Sequence, residues 1–600
     1  MTDRDDDLIR VLAEEAGAEE VLADRADRRR KKMADRRKLL GDRAQFRLVL
    51  ISAVFLACFG VLGGKMAILA ASEPSEPRIS RSDQTETLAS GRRAIVDRRG
   101  RLLAVDLPVH AIYAHPRELK AAGVDPKWAA KMLAQTIDGV DEEEQLKLLS
   151  KRKGLIWVKR PATPVERQKV HDLGIPGVHF GERETRVYPA GRMGAHILGG
   201  YKVEEETVFH ATLAGRSGVE RALDEELRDP HKVAEPLALS IDLTAQTALT
   251  RIMDEALKRY RAKAGVAVLM DVRNGEVISL VSLPDFDPNF RPDANADEVK
   301  AVRPMMNRAA EGVFELGSTF KLFLAAQALD QGVARLDTMV DTTGPIVMGG
   351  HKIRDFHRMP PRMSLRDVII ESSNTGTSRL ALAIGPDAQK SFLGDLGFLK
   401  ATSLEIAESR LGHPILPRNW GRLQTMTISF GHGLAATPLH LAAGYAAMVN
   451  GGFKVNPTLR KDAPAPTEAD RVISTETSVA MRELLRAIVA EGMGRKANVP
   501  GYEVGGKTGT ADKPKPGGYH RDKTIGTFAS VFPTSNPKYV LIITLDEPVE
   551  YVNGKALRTA GWTAAPVTGV AIRHLAPILG MRPKPEIKPK AKNLVEARSQ

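Results

Sequence analysis

Between Leu48 and Gly64 the chain runs seventeen residues without a charged side chain, and beyond Lys65 the apolar character resumes to Ala71. No other feature restricts the fold as much. In hydrocarbon every backbone amide needs an internal partner, so such a run crosses a membrane only as a helix. Its ~24 residues rise about 36 Å, enough for a hydrocarbon core of about 30 Å if Lys65 extends its amine toward the headgroups. Arg28-Arg29-Arg30-Lys31-Lys32 and Arg36-Arg37-Lys38 precede the run. Positive charge stays on the cytoplasmic side, so residues 1–47 are expected inside and everything after Ala71 outside. A cleaved signal peptide, with Ala70-Ala71-Ser72 as the cleavage site, is the rival reading. It fits less well, because the preceding 47 residues far exceed a signal peptide's basic region.

The formal charge of +13 could suggest nucleic acid. However, the basic residues concentrate between Arg25 and Arg47 and in the last twenty positions, and aromatics make up only 5% of the chain. Basic runs without interleaved aromatics are solvated tails or lie near an anionic membrane, so no nucleic acid is expected. The single cysteine, Cys58, excludes a disulfide within the chain and any multi-cysteine metal site. No His-Glu-x-x-His occurs and the fourteen histidines are scattered, so neither metal nor cofactor is expected.

Residues 72–90 are polar, with Pro74, Pro77 and several serines, and read as a linker. Gly91 to Ala104 predicts two short strands with a turn at Arg99-Gly100. The turns around Tyr188-Pro189-Ala190-Gly191 and Gly215-Arg216-Ser217-Gly218 belong to a mixed α+β region without evident chemistry. His196 and Glu220 there are expected as structural hydrogen-bonding groups. A new unit starts at Leu239. Ala245 to Tyr260 predicts an amphipathic helix, and Gly265 to Leu283 is β-rich with a hairpin turn at Asn274-Gly275. A helix packed on an antiparallel sheet follows from this order.

Three polar motifs stand out. Ser318 and Lys321 open an apolar stretch, Leu322 to Leu329, which reads as a buried helix. Positions i and i+3 share a helix face, so the Lys321 amine can reach the Ser318 hydroxyl. A serine needs a base beside it, and a lysine serves only if burial or nearby positive charge lowers its pKa. Ser-x-x-Lys alone is a weak pattern: about two matches are expected by chance in this length. Ser150/Lys153 and Ser535/Lys538 also match, the first in a basic segment and the second with Pro537 between the pair. Glu371-Ser372-Ser373-Asn374 ends a helical apolar run; Ser372 could relay a proton, and Asn374 could hold an amide. Taken alone it reads as a polar helix end. Val504-Gly505-Gly506-Lys507-Thr508-Gly509-Thr510 reads as a strand bordering a cleft, with a cation and two hydroxyls suited to a carboxylate. Phe528 to Phe532 and Tyr539 to Leu545 predict two further strands behind it.

The ordered triple resembles the signature of penicillin-binding proteins and active-site serine β-lactamases. The chain is similar to class B penicillin-binding proteins over roughly residues 90 to 575. Asp97-Arg98-Arg99-Gly100, Tyr188-Pro189-x-Gly191 with Ala195-His196, and Gly215-x-x-Gly218-x-Glu220 resemble that family's pedestal domain. Asn307-Arg308-Ala309, Gly431-x-Gly433 with Thr437-Pro438, and Asn450-Gly451-Gly452 resemble its transpeptidase domain. Ser372-Ser373-Asn374 resembles FtsI-type division enzymes, since elongation-type relatives usually carry Asp at the Asn374 position. Leu316 departs from the family's usual Pro.

The resemblance implies an α+β protein. Its parts are a cytoplasmic tail (1–47), a single transmembrane helix (48–71), a mixed α+β, dimerisation-like pedestal (72–238), a transpeptidase domain with an antiparallel sheet flanked by helices and an all-α subdomain (239–580), and a basic tail (581–600). It implies a serine acyl-enzyme that cross-links peptidoglycan stem peptides 4→3 at the division septum of a bacterial inner membrane, with the catalytic domain periplasmic. In that reading Ser318 is the nucleophile and Lys321 its base. Ser372 relays the proton, Asn374 holds the donor amide, Lys507 supports Ser372, and Thr508, Gly509 and Thr510 bind substrate. Stem peptides, lipid-linked nascent glycan strands, β-lactams and a division complex with a multi-pass glycan polymerase are the implied partners. The alternatives are an elongation-type transpeptidase, a D,D-carboxypeptidase, a β-lactamase or β-lactam sensor, and a β-lactam-binding scaffold of the division complex. A bifunctional class A enzyme would need a glycosyltransferase domain, which residues 72–240 do not resemble.

Overall fold

A computed structural model of the chain describes residues 52–53, 55–63, 65, 91–151, 154–206 and 211–585. The chain divides into two units, Met1–Thr87 and Leu88–Gln600. In the first, residues 55–63 are helical and expose Phe55, Leu56 and Phe59. Among the described residues no helix is long and apolar enough to cross a membrane. Most of the expected span 48–71, all of its basic flank, the linker 72–90 and the tail beyond 585 lie outside the described residues, as does Lys153.

The second unit begins with a pedestal sheet. Strand β1 (Ile95–Val96) turns through Arg99-Gly100 into β2 (Leu102–Ala114). The expected turn is there, but β2 continues ten residues past Ala104, because Ile112, Tyr113 and Ala114 enter a second small core. β3 (Ile156–Ala162) and β4 (Val178–Val187) both pair antiparallel with β2, and a hairpin of β5 (Gly200–Glu206) and β6 (Ala211–Ser217) follows. The polar motifs of this region converge on one buried ion network. Glu220, fully buried, accepts from Arg186 Nε at 2.8 Å and Arg92 Nη2 at 2.8 Å. Arg92 Nη1 reaches Asp224 at 2.6 Å and Arg186 Nη1 reaches Asp106 at 2.9 Å. Glu220 is therefore structural, as expected. His196 is buried, stacks edge-on against Phe286, and accepts at its carbonyl from Asn307 Nδ2. Burial holds its imidazole down at about 4, so it stays neutral.

β7 (Leu237–Ala238) runs parallel to β1, and Leu239 then bridges Arg460. Asp242 caps α1 (Leu243–Tyr260) by accepting from Thr244 and Ala245 N–H. β8 (Ala264–Asp271) and β9 (Val277–Leu283) follow, joined through Asn274-Gly275. The remaining named elements are α2 (Lys321–Asp330), α3 (Asn374–Ile384), α4 (Pro438–Val449), α5 (Thr475–Ala490), β10 (Gly505–Lys515), β11 (Gly518–Phe532), β12 (Tyr539–Asp546) and α6 (Ala564–Ile578).

The five strands stand in the order β10-β11-β12-β8-β9, all antiparallel. Alternate residues face opposite sides of a strand. Ala267, Leu269, Leu541 and Ile543 meet α1 and α6, while Val266, Val268, Val540 and Ile542 meet the core shared with α2, α4 and α5. Both faces are covered, which is why these strands read as nearly unbroken apolar runs. β11 starts ten residues before the expected Phe528, because its polar first half pairs with β10 in a long hairpin. β10, at the first position in that order, leaves its outer edge unpaired.

Candidate active site

The turn that carries Ser318 is a 3-10 turn, Gly317–Phe320, and α2 begins only at Lys321. In a 3-10 turn residues i and i+3 eclipse one another, so Ser318 and Lys321 are superposed more closely than on an α-helix. Lys321 Nζ lies 3.0 Å from Ser318 Oγ. Gly317 makes the approach to β10 possible. Its φ is +56°, and a Cβ there would sit 2.7 Å from Thr510 O. Gly509 does the same from the strand side, where a Cβ would meet Leu316 O at 2.3 Å. The glycine expected in substrate binding thus packs β10 directly against the turn that carries Ser318.

Ser372 follows a short helix, Leu365–Ile370, and precedes α3. Its φ of +63° is rare for a residue with a side chain and costs roughly 1 kcal/mol. Two restraints hold it. Ser373 caps α3 by accepting from Gly376 N–H at 3.0 Å. Asp355 accepts from Thr375 N–H at 3.1 Å, Thr375 Oγ1 at 2.5 Å, Ser373 Oγ at 3.2 Å and Asn374 N–H. A carboxylate at a helix N-terminus is stabilised by the unpaired N–H groups and the helix dipole.

Lys321 Nζ contacts three more oxygens: Ser372 O at 2.5 Å, Asn374 Oδ1 at 2.7 Å and Ser372 Oγ at 2.9 Å. Lys507 Nζ, from β10, donates to the same Ser372 Oγ at 3.0 Å. Both lysines are fully buried. Burial, with the nearby Lys507 ammonium, holds Lys321 well below the usual lysine range, and Asp355 opposes that shift. Burial lowers Lys507 to about 7. A neutral amine has two N–H groups and one lone pair. The two carbonyl oxygens, Ser372 O and Asn374 Oδ1, can only accept. They take both N–H groups and leave the lone pair for the Ser318 hydroxyl proton.

Five of the expected residues, Ser318, Lys321, Ser372, Asn374 and Lys507, thus form one hydrogen-bonded cluster. Thr508 and Thr510 lie next along β10. Thr508 is buried, and Thr510 Oγ1 accepts from Ala560 N–H at 3.0 Å. The other Ser-x-x-Lys serines are elsewhere: Ser150 ends a pedestal helix, and Ser535 donates to Glu503. Asp355 escaped sequence reading. It stands fifteen residues before the end of the helix preceding Ser372, in a charged loop with no periodic pattern. The carbonyl of its neighbour Arg354 accepts from Asn374 Nδ2 at 2.9 Å.

A serine beside a buried lysine of lowered basicity, a second hydroxyl between two amines and an open strand edge define a serine acyl-transfer site on a penicillin-binding transpeptidase fold. The family model of the penicillin binding protein transpeptidase domain matches residues 265–565, and that of the penicillin-binding protein dimerisation domain matches residues 87–235. The chain belongs to the penicillin-binding proteins, among their FtsI-type members. It is 36% identical over 569 residues to a probable peptidoglycan D,D-transpeptidase FtsI of Caulobacter vibrioides, covering 91% of this chain and 90% of that one. To peptidoglycan D,D-transpeptidase FtsI of Escherichia coli strain K12 it is 31% identical over 560 residues, covering 90% and 92%. The fold is similar to that of penicillin binding protein 3 from Mycobacterium tuberculosis complexed with aztreonam, with a TM-score of 0.60 at 24% identity, covering 83% of this chain and 98% of that one.

Proposed function

We propose that the chain is a septal peptidoglycan D,D-transpeptidase. It is anchored through residues 48–71, with residues 72–238 as pedestal and 239–580 as catalytic domain. Family membership and the relatives' names support the reaction class. The observation that carries the assignment of roles is the 3.0 Å contact between Lys321 Nζ and Ser318 Oγ in a site where burial holds the amine well below the usual lysine range.

The Lys321 lone pair takes the Ser318 hydroxyl proton as Oγ bonds to the carbonyl carbon of the penultimate D-Ala. The carbonyl oxygen becomes an oxyanion facing the N–H groups of Ser318 and Thr510. The proton passes through Ser372 Oγ to the departing amine of terminal D-Ala, and the C–N bond breaks. Lys507, polarising Ser372 from its other side, favours that transfer. Asn374 orients the donor amide, and Thr508 and Thr510 hold the terminal carboxylate. An amine of a neighbouring stem peptide then attacks the ester. It gives its proton back through Lys321, Ser318 regains its hydroxyl, and the cross-link forms. A β-lactam acylates the same oxygen and stays. The partners that fit are nascent glycan strands and a division complex with a multi-pass glycan polymerase.

Ser318→Ala is expected to abolish labelling by a fluorescent penicillin; persistent labelling would remove Ser318 as nucleophile. A tagged chain is expected at midcell during division, and sidewall signal would favour an elongation role.

A further inference from the structure

The unpaired edge of β10 has two ends. Lys507 and Ser372 occupy one. The other lies under the β10–β11 hairpin, where Tyr519 pairs with Pro514 and its hydroxyl donates to Glu315 Oε1 at 3.0 Å. Gly433 N–H donates to that same oxygen at 2.8 Å. Glu315 Oε2 is buried with no partner, and so is His432 Nδ1. The His432 ring stands edge-on to Tyr519, with centroids 6.0 Å apart. Among the described residues no lysine or arginine forms an ion pair with Glu315. Burial, reinforced by the Glu315 carboxylate and by Asp512, pushes the Tyr519 phenol up to about 12, so Tyr519 remains a neutral donor.

A buried carboxylate oxygen without a donor is unfavourable, because it has given up water and gained nothing in exchange. It is an empty place for a cation with N–H groups. The proposed reaction supplies one. A 4→3 cross-link requires an amine on the third residue of the acceptor stem, and the donor stem carries the same residue. An extended peptide docks on an open strand edge at roughly 3.3 Å per residue. With the terminal carboxylate at Thr508 and Thr510 and the scissile carbonyl at Ser318, the donor's third residue lies toward the hairpin.

We infer that Glu315, covered by Tyr519 and flanked by His432, is the subsite for the side-chain ammonium of the donor stem peptide's third residue. The inference rests on the transpeptidase reading above.

The test uses the full chain in detergent and thiol release from two thioester donors. Both end in lysyl-D-alanyl thioester; one keeps its lysine ε-amine free and the other has it acetylated. Wild type is expected to prefer the free amine by at least about tenfold in kcat/KM, and Glu315→Gln to reduce that preference to near unity. Equal rates for both donors with wild type overturn the inference without any variant. A tenfold preference surviving in Glu315→Gln overturns it too. Tyr519→Phe is expected to keep the preference, since it leaves the carboxylate in place; loss there would assign recognition to the phenol instead. If Glu315→Gln alters only how the acyl-enzyme partitions between water and an added amine, the ammonium is the acceptor's and the donor assignment falls. Silence of wild type toward both donors, with no penicillin labelling, instead overturns the transpeptidase reading and this subsite with it.

Discussion

Lys507 Nζ stands 3.0 Å from Ser372 Oγ across 135 positions of sequence. The same hydroxyl lies 2.9 Å from Lys321 Nζ. Two ammonium groups flanking one hydroxyl repel each other, so the proposed mechanism has a single ammonium between the pair. In the proposed roles Lys321 is neutral, to act as base, and Lys507 is charged, to polarise Ser372. Acylation by a chromogenic β-lactam should therefore follow a bell-shaped pH profile, with an alkaline limb set by Lys507 near 7. Lys507→Met should lose that limb and slow acylation by about 10²–10³-fold. Stopped-flow measurement from pH 5 to 10 checks both, and an unchanged alkaline limb in the variant would assign the titration to another group.

Asp355 touches no proposed substrate group, yet four donors at the start of α3 converge on it. It positions Ser372 and Asn374. Its charge also raises the Lys321 pKa against the larger effect of burial. Asp355→Asn should cost about 1–3 kcal/mol in stability through the lost cap. It should also move the acid limb of the acylation profile to lower pH, because removing an anion favours the neutral amine. A merely structural role would lower the melting temperature and leave that limb where it is.

The legible parts of this chain were those where one local pattern carries the constraint. Ser318 and Lys321 are adjacent because a single turn makes them so, and the Asn274-Gly275 hairpin is fixed by its own residues. The strand ends at Ala114 and Gly518 were misplaced for a shared reason. Both extensions are held by partners distant in sequence, β4 for the first and β10 for the second, which no local periodicity reports. Ser372 and Lys507 were recognised by resemblance and ordering. Nothing within either motif implies that the two meet. Asp355 and Glu315 went unread because a lone carboxylate in a loop looks the same whether it is solvated or buried against backbone N–H groups.

The pedestal network allows a test of stability apart from chemistry. Glu220 is the acceptor between Arg92 and Arg186, both with buried side chains. Glu220→Gln keeps the shape but leaves two guanidinium groups short of negative charge, which for a buried pair costs about 3–5 kcal/mol. Urea unfolding should show that loss. Molecules that remain folded should take up penicillin at the wild-type rate per active site. A slowed acylation rate at constant active fraction would mean that the network also sets the geometry around Ser318.

Lys507 should also tie stability to pH, in a direction its burial determines. Its folded pKa of about 7 lies below the roughly 10.4 of an unfolded lysine. Between those values the unfolded chain holds a proton that the folded chain lacks, so stability rises with pH across that window. Below about 7 both states are protonated, and folding bears the whole cost of enclosing an ammonium group. Methionine at this position has similar length and no charge. Lys507→Met should therefore melt above the wild type at pH 6, and the gap should shrink steadily between pH 7 and 10 as the wild type loses its penalty. Thermal unfolding of both chains at pH 6, 8 and 9.5 measures it. A gap that stays constant would mean that Lys507 has the same pKa folded and unfolded. In that case the hydroxyls of Ser372 and the site around it solvate the ammonium as well as water does.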